Sequence, residues 1–268
     1  MLIDTHCHLY HDFGGKKPGA LLHDAKLAGV GALITIGVDA ATVQHCQNAS
    51  DEFPEIFHSV GIHAHEASKM GQGDLALIEK AAANPKCVAI GEIGLDYYYD
   101  FSPKELQREV FKKQLELALK CKKPVIVHCR DAEQDVLSSL REYATKLPYE
   151  SEAGVLHCFT GTFEFGKACL DLGFFISFSG VITFKNSELL RQAAREFPLE
   201  RLLVETDSPY LAPVPFRGKK CEPSMVKATA LKLAEIRGVP FEQIEKQTTL
   251  NAARLFKLPL ASLEPIRV

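Results

Sequence analysis

Short apolar runs, each followed by a polar residue, recur along the chain. Leu2-Ile3, Val88-Ala89-Ile90, Val125-Ile126-Val127, Val155-Leu156 and Leu202-Leu203-Val204 read as buried strands. The pattern predicts eight strands, at about residues 2–6, 31–36, 57–62, 87–92, 124–128, 154–158, 173–178 and 201–206. Most gaps leave room for one helix, as parallel crossovers require. The helix after the fourth strand is the best marked: Ser102-Pro103-Lys104-Glu105 predicts a capping box with proline at the first helical position. Leu106, Val110, Leu117, Ala118 and Cys121 then predict one apolar stripe, and Lys122-Lys123-Pro124 its stop. Ser224 to Arg237 and Phe241 to Phe256 predict two closing helices. Between the last strand and these helices, Ser208 to Pro223 is rich in proline, either a simple connector or a stiffened loop shaping the mouth of a site.

Alternating strands and helices from end to end predict an α/β fold, a TIM (β/α)8 barrel of one domain over 1–268, with its active site at the C-terminal rim of the strands. The length of 268 residues agrees, since such barrels reach about 250 residues as one domain. A hydrophobic share of 46% and a charged share of 24% provide for an ordinary core and exclude a disordered chain. Met1-Leu2-Ile3 leads straight to Asp4 without a secretory leader, and no apolar run nears the roughly 18 residues of a membrane span, so a cytoplasmic protein is expected. The net charge of −3 counts against a duplex-coating protein far more than against an enzyme that grips one or two phosphates. Eight cysteines without a CxxC pair predict free thiols. Three of them, Cys7, Cys129 and Cys158, directly follow candidate ligands and are expected to turn towards the helix layer.

The polar residues that end the strands carry the chemistry. His6 and His8, Glu92, His128, His157 and Asp207 would converge on one rim if the strands are parallel. Imidazoles mixed with carboxylates suit zinc, manganese or similar divalent ions. His6, His8 and Asp207 are expected on one ion, His128 and His157 on a second, and Glu92 is either a structural carboxylate or, with one oxygen for each ion, a bridge. Two adjacent ions promote hydrolysis, and Asp207 could also orient or deprotonate the attacking water. His63, His65, Arg130 and Arg217 are expected to contact substrate. Three of them also have a simpler reading: a capped strand end for the two histidines, an ion pair with a nearby carboxylate for Arg130.

Taken in order, Asp4-Thr5-His6-Cys7-His8, Gly61-Ile62-His63-Ala64-His65, Gly91-Glu92-Ile93-Gly94-Leu95-Asp96-Tyr97, Val127-His128-Cys129-Arg130-Asp131-Ala132, His157-Cys158-Phe159-Thr160-Gly161 and Glu205-Thr206-Asp207-Ser208-Pro209-Tyr210-Leu211 resemble the TatD family of metal-dependent deoxyribonucleases. The resemblance extends through Pro215-Phe216-Arg217-Gly218 to Asn251-Ala252-Ala253-Arg254-Leu255-Phe256. It implies a barrel of the metal-dependent hydrolase superfamily and two divalent ions per chain, zinc, magnesium or manganese. It further implies hydrolysis of DNA phosphodiesters, often from the 3′ end, with Glu92 bridging and Asp207 assisting catalysis. One departure is Ala64, where members of the family usually carry proline between the two histidines.

Two other hydrolases share the expected frame. One is the D-aminoacyl-tRNA deacylase proposed for some family members; the other is an amidohydrolase acting on a small cyclic amide or ester. Many amidohydrolases bridge their metals through a carboxylated lysine on the fourth strand, where this chain has Glu92, which favours the nuclease. A non-catalytic metal or nucleic-acid binding protein would leave Asp207 without a task and lacks an extended basic surface. The expected activity is therefore a DNase on single strands or 3′ ends, working as a monomer with no obligate protein partner and no membrane contact.

Overall fold

Eight parallel strands pair in sequence order: β1 (Leu2–Cys7), β2 (Val30–Ile36), β3 (Ile56–Val60), β4 (Cys87–Asp96), β5 (Val125–Arg130), β6 (Gly154–Leu156), β7 (Phe174–Phe178) and β8 (Leu202–Val204). This computed structural model describes residues 1–148 and 151–260, so the expected domain runs beyond the described residues at 261–268. Side chains of β1 close the ring against β8 and the residues that follow it. Thr5 Oγ1 donates to the carbonyl of Val204 at 3.0 Å, and buried Asp4 accepts from the Thr206 backbone N–H at 2.8 Å and its hydroxyl at 2.6 Å. At the rim, the N–H of His8 donates to the Ser208 carbonyl and that of Asp207 to the His6 carbonyl.

Helices α1 (Pro18–Leu27), α2 (Ala40–Glu52), α3 (Asp74–Ala82), α4 (Lys104–Cys121), α5 (Glu133–Ala144), α6 (Phe163–Asp171) and α7 (Glu188–Glu196) separate the strands in turn, and α8 (Val226–Arg237) and α9 (Phe241–Phe256) follow β8. Alternation along each strand splits the core in two. Val125, Val127, Leu156 and Val204 face the helix layer, whereas Ile126, Val155, Phe175 and Leu203 fill the barrel interior. Ala252, Leu255 and Phe256 of α9 join the interior set, so this helix plugs the end of the barrel opposite the strand C-termini. Asn251 anchors it by donating to the carbonyls of Leu199 and Leu202, both at 2.8 Å. A ligand therefore approaches the barrel axis from the open, C-terminal side.

The predicted boundaries fall close to these elements, with β4 running on to Asp96. The expected capping box at α4 is not formed. Pro103 occupies the cap position, and the Ser102 hydroxyl instead donates to the His65 carbonyl at 2.8 Å. The apolar face of α4 keeps Val110, Leu117 and Ala118 of the expected stripe and adds Phe111 and Leu115, whereas Leu106 is exposed and Cys121 half-buried. The hydroxyl was recruited by the neighbouring loop, and the stripe turned to meet the strands. Cys7 and Cys129 pack into the helix layer as expected, but Cys158 has φ 42° and brings its Sγ to 3.2 Å from the Ser179 hydroxyl. Among the described residues no helix is long and apolar enough to cross a membrane.

Candidate metal centre

Because the interior positions of a strand recur every second residue, the chain that places Ile126 inside also places His128 there, one layer nearer the mouth. Val155 leads likewise to His157. On β4 the register shifts between Ile90 and Ile93, and Glu92 enters the interior at that irregularity. Gly94 makes this approach of β4 to β5 possible: its φ is +140°, and a Cβ there would stand 2.0 Å from the His128 carbonyl oxygen.

Glu92 is the hub. Its Oε2 lies 3.4 Å from His6 Nε2 and 4.0 Å from His8 Nε2, while its Oε1 lies 2.7 Å from His157 Nε2, 3.1 Å from His128 Nδ1 and 3.2 Å from His63 Nε2. The two oxygens of one carboxylate thus face two sets of imidazoles. Asp207 stands on the first side, its Oδ1 3.2 Å from His8 Nε2 and 3.8 Å from His6 Nε2. The six ligand candidates of the sequence therefore lie in one cluster. His63, expected to contact substrate, sits inside it, within ligand range of Glu92 and His128.

The donor set fits divalent metal. Both ring nitrogens of His6 are buried without a hydrogen-bond partner, a costly state for an imidazole unless a ligand engages it. His6 Nε2 is close to Glu92 Oε2 in distance, but the geometry does not make a hydrogen bond. The charges are arranged to match. Burial works against ionised Glu92, yet the surrounding imidazoles, His157 first, hold its carboxyl well below the usual range. Burial first, helped by the neighbouring imidazole charges and opposed by Glu92, pushes His6 down and takes His63 down to about 4, so both are neutral and able to ligate at neutral pH. For His8, His128 and His157 burial acts in the same sense, but the carboxylates beside them outweigh it and hold these imidazoles above their ordinary range.

A ring of outer partners orients the cluster. His157 points Nδ1 at Glu205 Oε1, at 3.3 Å, and the same oxygen accepts from the Cys158 backbone N–H at 2.7 Å. Tyr10 meets His8 Nδ1 through its hydroxyl at 3.0 Å. Asp96, almost wholly buried, brings Oδ2 to 2.9 Å from His128 Nε2 and to 3.0 Å from His65 Nε2. His65 is thus tied back to the wall. Arg130 makes no ion pair among the described residues, and its guanidinium lies 3.8 Å from the centre of the Tyr98 ring. Arg217 braces its own loop, donating to the Ala212 carbonyl at 3.0 Å and lying over Phe184.

Asp96 and Glu205 escaped the sequence reading, although a signal existed for one of them. Counting two residues on from interior Leu203 reaches Glu205, whereas the pattern of metal-ligand types singles out Asp207, two residues further. Substituting Asp96 by asparagine is expected to weaken metal binding about 10- to 100-fold, the usual cost of losing an outer carboxylate–histidine contact. Titration of metal-stripped protein against a chromophoric chelator measures it. Unchanged affinity would show that His128 is held by packing alone.

The family described as TatD related DNase matches residues 3–257. A Bacillus subtilis (strain 168) protein named uncharacterized metal-dependent hydrolase YabD is 41% identical over 258 residues, covering 96% of this chain and 100% of its own. The 3′-5′ ssDNA/RNA exonuclease TatD of Erwinia tasmaniensis is 35% identical over 249 residues, 91% of this chain and 95% of its own. The crystal structure of YjjV, a TatD homologue from Escherichia coli K12, superposes with a TM-score of 0.90 at 28% identity, over 96% of this chain and 98% of that one. A match running from the first strand to the helix that seals the barrel leaves no part of the site outside it, and the chain belongs to the TatD family of metal-dependent hydrolases.

Proposed function

We propose that this hydrolase is a deoxyribonuclease that removes nucleotides from the 3′ end of single-stranded or frayed DNA, using two divalent ions, zinc, magnesium or manganese. The observation that carries the reading is the division of Glu92, whose Oε2 faces His6 and His8 while Oε1 faces His63, His128 and His157. A carboxylate so placed can hold an ion at each oxygen, with Asp207 completing the first set. Ions held there would supply Lewis acidity to a phosphoryl oxygen and to water.

The chain's own residues supply the rest. Asp207 is held below the ordinary carboxylate range, because the His8 hydrogen bond and the nearby imidazole charges outweigh its burial. It is ionised at neutral pH and is the group on this rim that can accept a proton from attacking water. Glu205 and Tyr10 keep His157 and His8 turned inwards, and α9 excludes water from the opposite end. The Erwinia relative named an exonuclease on ssDNA and RNA supports the choice of an unpaired strand. So does a net charge of −3, which gives a continuous duplex no broad positive track. In the same proposal the chain is one domain over 1–268 and works in the cytoplasm as a monomer.

The test compares chelator-stripped and metal-restored protein on end-labelled single-stranded DNA, duplex DNA and D-aminoacyl-tRNA. Metal-restored protein is expected to shorten the single strand from its 3′ end, to act more slowly on the duplex and to leave the aminoacyl ester intact; stripped protein is expected to do none of this. An intact oligonucleotide beside a cleaved aminoacyl ester would overturn the proposal in favour of the deacylase.

A further inference from the structure

Beside the metal centre, the loop from β4 to α4 reads Tyr97-Tyr98-Tyr99-Asp100-Phe101. Tyr98 is 58% exposed, Tyr99 41% and Phe101 61%, an apolar surface that neither ion binding nor proton transfer explains. The loop is nonetheless fixed. Asp96 Oδ1 accepts from the backbone N–H groups of Tyr98 and Tyr99, both at 3.0 Å, while its Oδ2 meets His128 and His65. Gln107 adds bonds to the carbonyls of Asp96 and Ser102, each at 2.9 Å. One buried carboxylate thus sets the rim rings in register with an imidazole that faces Glu92.

The rings form a continuous surface. Tyr99 and Phe101 stack with centroids 5.3 Å apart and planes at 21°, and Phe101 meets the edge of His65 at 4.8 Å. Arg130 lies over Tyr98 at 3.8 Å and over Tyr99 at 4.9 Å, with no carboxylate partner among the described residues. Flat aromatic faces combined with a cation that no protein carboxylate neutralises match a chain of bases joined by phosphates. A duplex does not fit this surface, since its base faces are already stacked on one another.

We propose that Tyr98, Tyr99 and Phe101, with Arg130, form a base-stacking platform that holds the unpaired nucleotides of a single-stranded nucleic acid next to the phosphate at the Glu92 cluster. The proposal rests on the nuclease reading and adds the element that would select unpaired strands. Each ring is a positioning residue, which acts on where the strand lies and not on the reacting bond.

The experiment is a cycle of ring deletion against base deletion. Y98A, F101A and the double variant are compared with the unaltered enzyme on deoxy- and ribo-oligonucleotides, intact or carrying abasic residues near the 3′ end. Stacking of one base is worth about 1–3 kcal/mol, so each ring removed is expected to raise KM about 5- to 150-fold with kcat nearly constant. Y98F is expected to retain the low KM, as is L189A, which removes an 83% exposed leucine on α7. On abasic strands the unaltered enzyme is expected to lose the same factor, and the ring deletions to add little. Unchanged KM in Y98A and F101A, or ring and base deletions that simply multiply, would overturn the platform while leaving the nuclease standing. If the unaltered, metal-restored enzyme cleaves no oligonucleotide of either sugar, the nuclease reading fails and the platform falls with it.

Discussion

Alanine at Glu92 is expected to lower kcat on single-stranded DNA by at least about three orders of magnitude and to leave fewer than two bound ions per chain. The loss should be this large because both oxygens are engaged, one towards His6 and His8, the other towards His63, His128 and His157. Glutamine is the sharper probe. It preserves volume and one carbonyl oxygen but replaces the other with an amide nitrogen that cannot ligate, so only one of the two sets should keep its ion. Elemental analysis after gel filtration gives the stoichiometry, and single-turnover cleavage gives the rate. Full occupancy together with wild-type turnover in Glu92→Gln would remove the bridging role. Folding should tolerate either change, because His157, raised chiefly by the Glu92 charge once burial is overcome, can release its proton when that charge is gone.

Sequence patterning reached the barrel because parallel strands buried on both faces leave unmistakable apolar runs, as at Val125-Ile126-Val127. It also picked out six ligand candidates that the fold gathers into one cluster, because they follow such runs: His128 and His157 directly, Glu92 two residues on, and His6, His8 and Asp207 a few residues further. It failed where the deciding contact is long-range or depends on backbone irregularity. His63 was placed outside the cluster, since nothing local shows that the rim after β3 turns its imidazole towards β4. Asp96 looks like any strand-end acid until the fold brings His65, His128 and two tyrosine amides around it. Ser102 carried a helix-cap signal that local competition from the His65 carbonyl annulled. The exposed tyrosines gave no periodic signal at all, and only their fixed placement beside Arg130 distinguishes them from scattered surface rings.

Asparagine at Asp207 tests the proton acceptor without breaking the rim. Asp207 has φ 57°, a conformation asparagine adopts with little cost, and its N–H bond to the His6 carbonyl does not involve the side chain. The variant is therefore expected to fold with an unchanged melting temperature in its metal-loaded form, while kcat falls about 10²- to 10⁴-fold, the range of a lost general base. A second readout follows from His8. In the metal-free protein burial pushes the His8 imidazole down, but the Asp207 hydrogen bond and charge raise it above its ordinary value. A raised pKa means that this pair stabilises the metal-free fold fully below the unfolded histidine value of about 6.5, and that the contribution fades as pH rises through the higher folded value. Asparagine removes the raising contacts and lets burial dominate, so the His8 ring should titrate at lower pH by NMR. It should also release less of a proton when metal binds at pH 7, which calorimetry in buffers of different ionisation enthalpy detects. If kcat falls while His8 titration and proton release stay as in the unaltered protein, the 3.2 Å contact between His8 and Asp207 has no energetic weight, and the electrostatic account of this side of the centre is wrong.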